Sequence, residues 1–259
     1  MRTYMNALSL NDFSEIDLQF IAESYATKHK DITPIVQYIR QDPEALLQMI
    51  DDEKVLRALT NKENVVLLVS PFLFFLIIVR HAFIAYSRED EFQDRVNDYK
   101  ESRGRLIWQE EQIEDLLNNI SLHLYLANML SFFSSSSKMN DPEKTQNGWI
   151  YITDLIQKLE SASPSDGFYI QAFIGNYTLC LTSLYKEYVQ NKYRYGKRLV
   201  GCEYYASFGE KFFKSASESK VAKESGLTEI LEMLSMGYNI VRFALDELKH
   251  REKLFITSS

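Results

Sequence analysis

Glycine and proline are scarce in this sequence, and their scarcity bears on the fold class. The 259 residues include nine glycines and five prolines, too few for an all-β chain with a turn about every dozen residues. Each proline follows a serine, threonine or aspartate, residue types that cap helix N-termini. Proline suits the first helical position because it has no N–H to leave unbonded there. We therefore predict five helix starts, at Thr33-Pro34, Asp42-Pro43, Ser70-Pro71, Asp141-Pro142 and Ser163-Pro164.

Cysteine is almost absent, which excludes a disulfide scaffold. Cys180 and Cys202 have no metal-binding or redox spacing, and two cysteines in a chain of this size favour a reducing compartment. The first residues, "MRTYMNALSLNDFSEID", become acidic before a signal-peptide core could form. We therefore expect a cytoplasmic protein.

An excess of positive charge is also lacking. The formal net charge is −7 and the pI is about 5.3. A protein that binds nucleic acid regardless of sequence needs clustered lysine and arginine to displace counterions. The composition therefore argues against a large surface of this kind, although it allows a local basic patch.

Motifs with known catalytic or nucleotide-binding chemistry are absent too. The sequence has no Gly-x-Gly-x-x-Gly, Walker, Gly-x-Ser-x-Gly or His-Glu-x-x-His motif. Glu247 and His250 form one Glu-x-x-His, whereas di-iron bundles need two copies and two further glutamates. We interpret these residues as an exposed i,i+3 pair. We predict no metal site and no cofactor, and the sequence favours a protein that is not an enzyme.

The longest apolar run lies at 65–79, where all but two residues are apolar. Ser70-Pro71 interrupts it and predicts a helix from Pro71 to about Tyr86. Neither part reaches the roughly 20 apolar residues that cross a bilayer. We therefore expect a central buried helix and no transmembrane span, with a hairpin dipping into a membrane as the alternative.

The remaining sequence is typical of an all-α, multi-helix bundle. Long packing helices are predicted at about 105–133, 168–190 and 227–255, and in the first and third of them apolar residues recur at alternating spacings of four and three. Such seams pack against other helices at shallow angles. We predict that residues 1–259 form a single helical domain, and the serine-containing linker 134–148 leaves a boundary there as an alternative.

Four residues are candidates for a ligand site inside the bundle. Arg80 and His81 lie among apolar residues of the predicted buried helix, and Asn176 and Tyr177 lie in the apolar stretch "FIGNYTLCLTSLY". Buried polar and charged groups are costly unless they are paired. These side chains could therefore bind a ligand, with Arg80 holding a carboxylate or phosphate. The favoured alternative is structural: an acid from the next helix pairs with Arg80, or Arg80 extends to the surface, and Asn176 fixes helix register.

The segment Tyr185–Tyr205 combines six tyrosines with five lysines or arginines and two acids. Aromatic residues interleaved with basic ones can stack bases and hold phosphates. The alternative is an interhelical corner in which the rings pack and the hydroxyl groups meet water. The candidate polyanion-binding residues are Lys186, Lys192, Arg194, Lys197 and Arg198.

"IGNYTLCLTSLY" and "EYYASFGEKFF", within Gln171–Phe213, resemble a pattern of uncharacterised bacterial all-helical proteins. In these proteins an Ile-Gly-Asn-Tyr segment lies close to a tyrosine-rich helix, and "SPFLFFLIIVRHAF" is a looser match. Cys180 and Ser183 stand where the pattern has an aromatic residue and a glycine. The resemblance implies a helical fold and no particular activity.

Three functions remain open from the sequence. The leading prediction is a non-enzymatic helical protein that acts through protein partners or self-association, as a homo-oligomer. The second is an enzyme or small-ligand binder with a polar site inside the bundle. The third is a polyanion-binding or nucleic-acid-binding module that uses the basic, tyrosine-rich segment.

Overall fold

A computed structural model of the chain describes residues 13–26, 31–60, 69–101, 108–134, 152–196 and 200–251. Every regular element within these residues is a helix, so the all-α prediction is confirmed. The helices are α1 (Glu15–Tyr25), α2 (Thr33–Gln41), α3 (Pro43–Ile50), α4 (Glu53–Thr60), α5 (Pro71–Tyr86), α6 (Asp90–Glu101), α7 (Glu110–Leu117), α8 (Ile120–Phe133), α9 (Ile152–Glu160), α10 (Pro164–Thr182), α11 (Lys186–Arg194), α12 (Cys202–Ser217), α13 (Lys220–Glu224), α14 (Thr228–Met236) and α15 (Tyr238–Arg251).

Three of the residues that precede proline cap helices as predicted. The side chains of Asp42, Ser70 and Ser163 each accept a hydrogen bond from a backbone N–H in the first turn of α3, α5 and α10. In each helix the proline occupies the first position, where no N–H is needed. These caps therefore fix where the three helices begin.

The prediction for Thr33 as a cap is wrong. Thr33 is already the first residue of α2, and the N-cap, Ile32, has no side-chain cap hydrogen bond. The Thr33 N–H instead donates to the side chain of Asp31, 3.0 Å away. Asp141-Pro142 lies outside the described residues.

The central helix α5 has the predicted bounds and packs most extensively against α8, with further contacts to α4, α7 and α15. Other helices bury most of its faces, which agrees with its largely apolar sequence. No single described helix is long and apolar enough to cross a membrane. By length and composition alone, a membrane span is possible only for α5 taken together with Asp90–Tyr99, and these two helical segments meet at an angle of 85°.

The helix predicted at about 105–133 is broken in the structure. It is divided into α7 and α8 at Asn118–Asn119, and α7 begins only at Glu110. The Asn119 side chain accepts a hydrogen bond from the N–H of Leu122, so this asparagine starts a new helix. Residues 105–107 lie outside the described residues.

The helix predicted at about 227–255 is broken as well, at Gly237 between α14 and α15. Gly237 lies against Leu116 of α7, and a Cβ at this glycine would be 2.5 Å from the Leu116 Cδ2. The break therefore coincides with a close contact that only glycine permits. Residues 252–255 lie outside the described residues.

The helix predicted at 168–190 has different bounds, because α10 begins at Pro164 and ends at Thr182. Near its end the hydroxyl groups of Thr182 and Ser183 donate hydrogen bonds to main-chain carbonyls one turn earlier, at 2.8 and 2.6 Å. Such bonds compete with the helical pattern. The chain then turns through 183–185 and continues as the separate helix α11.

Helices α10 and α12 form the most extensive helix pair, and glycines allow their close approach. A Cβ at Gly175 would lie 2.7 Å from the ring of Phe213 on α12. A Cβ at Gly209 would lie 2.3 Å from the ring of Tyr238 and 2.6 Å from the Thr178 Oγ1. Both separations are far below van der Waals contact, so these glycines fix the helix spacing.

Helices from both sides of the predicted linker contact one another. Helix α5 contacts α15, and α8 contacts α14. Most of the linker 134–148 lies outside the described residues. The single-domain organisation stays a prediction.

Candidate functional site

Helix α11 lies in the basic, tyrosine-rich segment that the sequence singles out. Val189, in the first turn of α11, is fully buried and anchors the helix on the core. Its first residues, Lys186 and Glu187, face α15, and the residues at and just after its end, Tyr193 and Tyr195, are exposed. The helix therefore presents a charged surface to α15 at one end and an aromatic surface to solvent at the other.

We use the term aromatic surface for Tyr193, Tyr195, Tyr204, Phe208 and Phe212. The three tyrosines are 54%, 72% and 47% exposed, and the two phenylalanines are half-buried. Tyr204, Phe208 and Phe212 are spaced one turn apart on α12, with ring-centroid separations of 4.8 and 5.8 Å. The ring of Tyr193 lies beside Gly201, at the start of α12. Exposed aromatic side chains of this kind contribute much of the binding energy at protein interfaces.

The lysines and arginine of α11 have different surroundings. Lys186 donates a hydrogen bond to Asp246, 2.6 Å away, so its charge is neutralised within the protein. Lys192 lies over the ring of Tyr188, with its Nζ 5.4 Å from the ring centroid, and so forms a cation–π contact. Arg194 is exposed.

Two of the five polyanion-binding candidates, Lys197 and Arg198, lie outside the described residues. Of the other three, Lys186 is paired with Asp246, whereas the half-buried Lys192 and the exposed Arg194 form no ion pair with a described residue. Polyanion binding stays a prediction, with two described cations available to it.

An acidic face lies on α7, remote in sequence from the aromatic surface. We use the term acidic face for Glu110, Glu111, Glu114 and Asp115, which are all exposed. The opposite side of the helix carries the buried residue Ile113. None of the four carboxylates forms an ion pair with a described residue, so they contribute a local concentration of negative charge.

Asp246 of α15 is a buried carboxylate at the contact with α11. It is 2% exposed, and its Oδ2 accepts hydrogen bonds from Lys186 at 2.6 Å and from Arg95 at 3.0 Å. Two cations compensate the cost of burying this charge. Its Oδ1 accepts no hydrogen bond from any described residue.

Glu187 and His250 complete a cluster around the unbonded oxygen of Asp246. The Nε2 of His250 lies 3.5 Å from the Asp246 Oδ1 and 3.4 Å from the Glu187 Oε1. The other oxygen of Glu187 accepts a hydrogen bond from Lys249. We use the term carboxylate–histidine cluster for Glu187, Asp246 and His250.

Glu247 and His250 lie on neighbouring parts of α15 but have different partners. Glu247 accepts hydrogen bonds from Arg95 at 2.8 Å and from Arg251 at 2.7 Å. His250 is directed toward Asp246 instead. The two side chains that α15 brings together are therefore Asp246 and His250, four residues apart, and not Glu247 and His250.

A second charged group fixes the start of α12 against α15 and α6. Arg242 is 4% exposed and donates a hydrogen bond to Glu203 at 3.0 Å. Its guanidinium also lies 5.2 and 5.0 Å from the ring centroids of Tyr99 and Phe243. Tyr99 donates its own hydrogen bond to Glu203. The ion pair and the ring contacts offset part of the cost of burying Arg242, whose Nε has no hydrogen-bond partner among the described residues. They also hold the helix that carries Tyr204.

Cys180 and Cys202 are both buried and form no disulfide. Burial raises the pKa of each thiol above its ordinary value. A cysteine nucleophile needs a lowered pKa and solvent access. Neither residue has these properties.

Arg80 and His81 are both occupied by partners within the bundle. Arg80 forms a two-point ion pair with Asp51, including a 2.7 Å hydrogen bond, and its Nη1 lies 3.3 Å from the Nδ1 of His123. The Nε2 of His81 lies 2.9 Å from the carbonyl oxygen of Ile50. These contacts tie α5 to the end of α3. The acid that pairs with Arg80 is therefore the C-cap of an earlier helix, and not a residue of the next one.

Asn176 and Tyr177 lie on α10 and share no described contact with Arg80 or His81. Asn176 accepts a hydrogen bond from the hydroxyl of Tyr125 at 3.0 Å, and its Nδ2 has no described partner. Tyr177 is fully buried. The four ligand-site candidates are therefore not brought together, and their role in binding a ligand stays a prediction without convergent geometry.

Sequence reasoning did not identify Glu187 or Asp246 as site residues. The spacing of Asp246 and His250, four apart in "DELKH", was a usable signal, since residues i and i+4 share one face of a helix. Glu187 carries no comparable signal, because 59 residues separate it from Asp246 and only the fold brings them together.

Comparisons with protein-family models, with curated proteins and with solved structures find no match to this chain.

Proposed function

We propose that the protein is a non-enzymatic helical protein that works by self-association. In this proposal the aromatic surface of one copy binds the acidic face of α7 on a second copy. The observation that carries it is the concentration of exposed aromatic side chains. Of the seven large apolar or aromatic side chains that are exposed in the described part, three are the tyrosines at 193, 195 and 204.

Aromatic side chains support binding of a protein more directly than binding of a phosphate backbone. Tyrosine supplies large, rigid contact area at a low cost in conformational entropy. A polyanion site draws most of its affinity from many cations, and only Lys192 and Arg194 are described as available here. Two cations are sufficient to orient an acidic protein surface, since rim charges act mainly on orientation and association rate.

Charge complementarity is the reason for choosing a second copy as the partner. The chain carries a net charge of −7, so most of its surface repels another copy. The aromatic surface is an exception, because Lys192 and Arg194 lie beside it. The acidic face of α7 offers four exposed carboxylates to these cations. Two aromatic surfaces placed against each other would bring like charges together.

Binding between two different surfaces has a geometric consequence. The arrangement that we propose is head-to-tail and not reciprocal, so a dimer leaves one unused surface at each end and association continues until a ring closes. We therefore expect species larger than a dimer as concentration rises. Because exposed charges contribute to the contact, added salt weakens it.

Sedimentation velocity and native mass spectrometry over a range of concentrations test the proposal. We expect Tyr193→Ala with Tyr204→Ala to weaken association by roughly tenfold or more, as loss of aromatic anchors does. Lys192→Glu with Arg194→Glu should also weaken it, and so should Glu111→Lys with Glu114→Lys. A chain carrying both charge reversals should associate again, because the complementary charges are restored.

The control is Lys220→Glu with Lys223→Glu, which changes the net charge equally on α13, where both lysines are exposed. This variant should retain association apart from a small general effect of charge. A wild-type protein that is monomeric at every concentration in low salt would overturn the proposal. So would a strictly dimeric protein, or a monomer that binds labelled oligo-dT, which would favour the polyanion function.

The proposal places this self-association in the cytoplasm. Its support is the low cysteine content together with the absence of a disulfide between Cys180 and Cys202. Fluorescent fusion and fractionation of cells that express the chain are the direct measurement.

A further inference from the structure

The carboxylate–histidine cluster brings three potential metal-ligand atoms together. One oxygen of Glu187, one of Asp246 and one ring nitrogen of His250 all lie within 4.8 Å of one another. Asp246 and His250 are one turn apart on α15, and Glu187 is the second residue of α11. A pair of ligands at i and i+4 on a helix is a common way to hold a metal ion.

The two carboxylates each leave one oxygen directed at the histidine. Asp246 uses its Oδ2 for Lys186 and Arg95, and Glu187 uses its Oε2 for Lys249. The remaining oxygens, Oδ1 and Oε1, are the ones near the Nε2 of His250. The surrounding cations therefore orient both carboxylates as outer partners do around metal sites.

The Oδ1 of Asp246 is a second indication that the cluster can take up a cation, because the His250 Nε2 lies 3.5 Å from it and forms no hydrogen bond with it. Asp246 is 2% exposed, and this oxygen accepts no hydrogen bond from the described residues. A buried carboxylate oxygen without a partner is costly. The atom is directed into the cluster, where a cation would satisfy it.

The spacing of the atoms fits a small divalent ion. Nitrogen and oxygen ligands of tetrahedral zinc lie about 2.0 to 2.2 Å from the metal, which places two ligands about 3.4 Å apart. The histidine nitrogen lies 3.4 and 3.5 Å from the two carboxylate oxygens. Only small adjustments of the side chains would be needed to admit an ion.

We propose that Glu187, Asp246 and His250 bind a divalent first-row transition-metal ion, with Zn²⁺ the preferred ion. One imidazole and two carboxylates are a donor set that suits such ions. Because His250 is 58% exposed, water completes the coordination. The nearby lysines and arginine oppose the ion's charge, so binding is weaker than at a structural site of cysteines. This site is separate from the proposed self-association and does not depend on it.

The bound ion would join two helices that are distant in sequence. Glu187 on α11 and Asp246 on α15 are 59 residues apart, and the chain between them forms α12, α13 and α14. An ion that binds the folded chain and not the unfolded one stabilises it by mass action. Metal should therefore raise the thermal midpoint and reduce hydrogen exchange in α11.

Cobalt spectroscopy and zinc calorimetry test the proposal on the metal-free full chain. We expect one equivalent of Co²⁺ to give visible d–d absorption with an intensity typical of four or five ligands, and equimolar Zn²⁺ to remove it. His250→Ala should lose this absorption and weaken Zn²⁺ binding by roughly tenfold or more. Because His250 is exposed, this variant should fold, and circular dichroism checks that it does.

The matched control is Glu247→Gln, the acid of the neighbouring Glu-x-x-His, which is not a proposed ligand. It should retain the cobalt spectrum and nearly the wild-type zinc affinity, whereas Glu187→Gln should not. Absence of a spectrum with folded wild-type protein would overturn the proposal. Equal losses in Glu247→Gln and Glu187→Gln would also overturn it, since they would indicate binding by general negative charge.

Discussion

At the scale of single residues, His123 shows how one polar side chain is accommodated in an apolar core. It is fully buried on α8. Its Nε2 lies 2.6 Å from the carbonyl oxygen of Leu117, and its Nδ1 lies 3.3 Å from the guanidinium of Arg80. Nε2–H donation to the carbonyl leaves Nδ1 to accept from Arg80, which requires the neutral imidazole. Burial, assisted by the positive charge of Arg80, lowers the pKa of His123 to about 4.

This lowered pKa predicts a loss of stability in mild acid. The unfolded chain binds a proton at His123 near pH 6.5, and the folded chain does so only near pH 4. The contribution of neutral His123 to the free energy of unfolding is therefore complete above pH 6.5. It falls by about 1.4 kcal/mol per pH unit as the pH is lowered toward 4. Urea unfolding between pH 7.5 and 4.5 measures the free energy of unfolding.

The comparison variant for this titration is His123→Gln, which cannot titrate. It should be less stable than wild type at pH 7.5, and the difference should shrink as the pH falls. Parallel curves for the two proteins would contradict the assignment of the lowered pKa to this residue.

Gly209 gives a second prediction at the residue scale. Alanine normally stabilises a helix relative to glycine by roughly 1 kcal/mol. At this position its Cβ would clash with the buried ring of Tyr238, 2.3 Å away. We expect Gly209→Ala to lower the free energy of unfolding by about 1–3 kcal/mol, as overpacking does. Ser215→Ala, on the exposed side of the same helix, should be neutral or stabilising; a stabilised Gly209→Ala would contradict the close contact.

At the scale of helices, the sequence predicts starts better than interruptions. The start of α5 at Pro71 follows from its capping serine, a local signal. The breaks at Asn118–Asn119 and Gly237 lie within continuous apolar seams, so periodicity alone predicts helix through them. They arise because Asn119 competes for a backbone N–H and because Leu116 fills the space beside Gly237. The second cause depends on tertiary packing, which no local pattern contains.

The Asn119 cap is testable as a property of α8. We expect Asn119→Ala to lower the free energy of unfolding by about 0.5–2 kcal/mol, because the N–H of Leu122 loses its acceptor. Ser121→Ala changes an exposed residue in the same first turn and should have little effect. Denaturation of the three proteins side by side measures both changes. Equal stability of Asn119→Ala and wild type would indicate that α7 and α8 need no cap.

The candidate site was predictable only in part. Its segment, Tyr185–Tyr205, stands out by composition, and the exposure of Tyr193 and Tyr195 agrees with their polar, basic surroundings in the sequence. That Lys186 is neutralised by Asp246 was not predictable, because the two residues meet only through the packing of α11 on α15. Composition thus identifies the segment, and the fold determines which of its charges reach solvent.

At the scale of the whole molecule, ion pairs connect parts of the chain that lie on opposite sides of the predicted linker. Arg95 of α6 pairs with Asp246 and Glu247 of α15, and Glu89 pairs with Arg251. Apolar contacts between α5 and α15 accompany these pairs. If the chain is one domain, its two halves should hold together without the peptide connection.

Cleavage within the linker tests the single-domain prediction. A specific protease site inserted within 135–148 allows the purified chain to be cut once. We expect the two fragments to elute together from a size-exclusion column and to separate only in denaturant, since the contacts between α5 and α15 remain. Uncut protein with the same insertion is the control. Fragments that separate and stay folded without denaturant would indicate two domains with a boundary in this segment.

Both thiols are buried, so the rate at which a reagent modifies each of them reports how often the surrounding structure opens. Cys180 lies in the last turn of α10 and is fully buried, and Cys202 is the first residue of α12 and is 9% exposed. A thiol reagent in solution reaches each of them only when the surrounding structure opens. We expect Cys202 to react first, because its side chain already reaches the surface in part, and the fully buried Cys180 to react at the rate of global unfolding. The modification rates of the natural chain would thus time its local and global opening without any added label, and equal rates would mean that α10 and α12 open together.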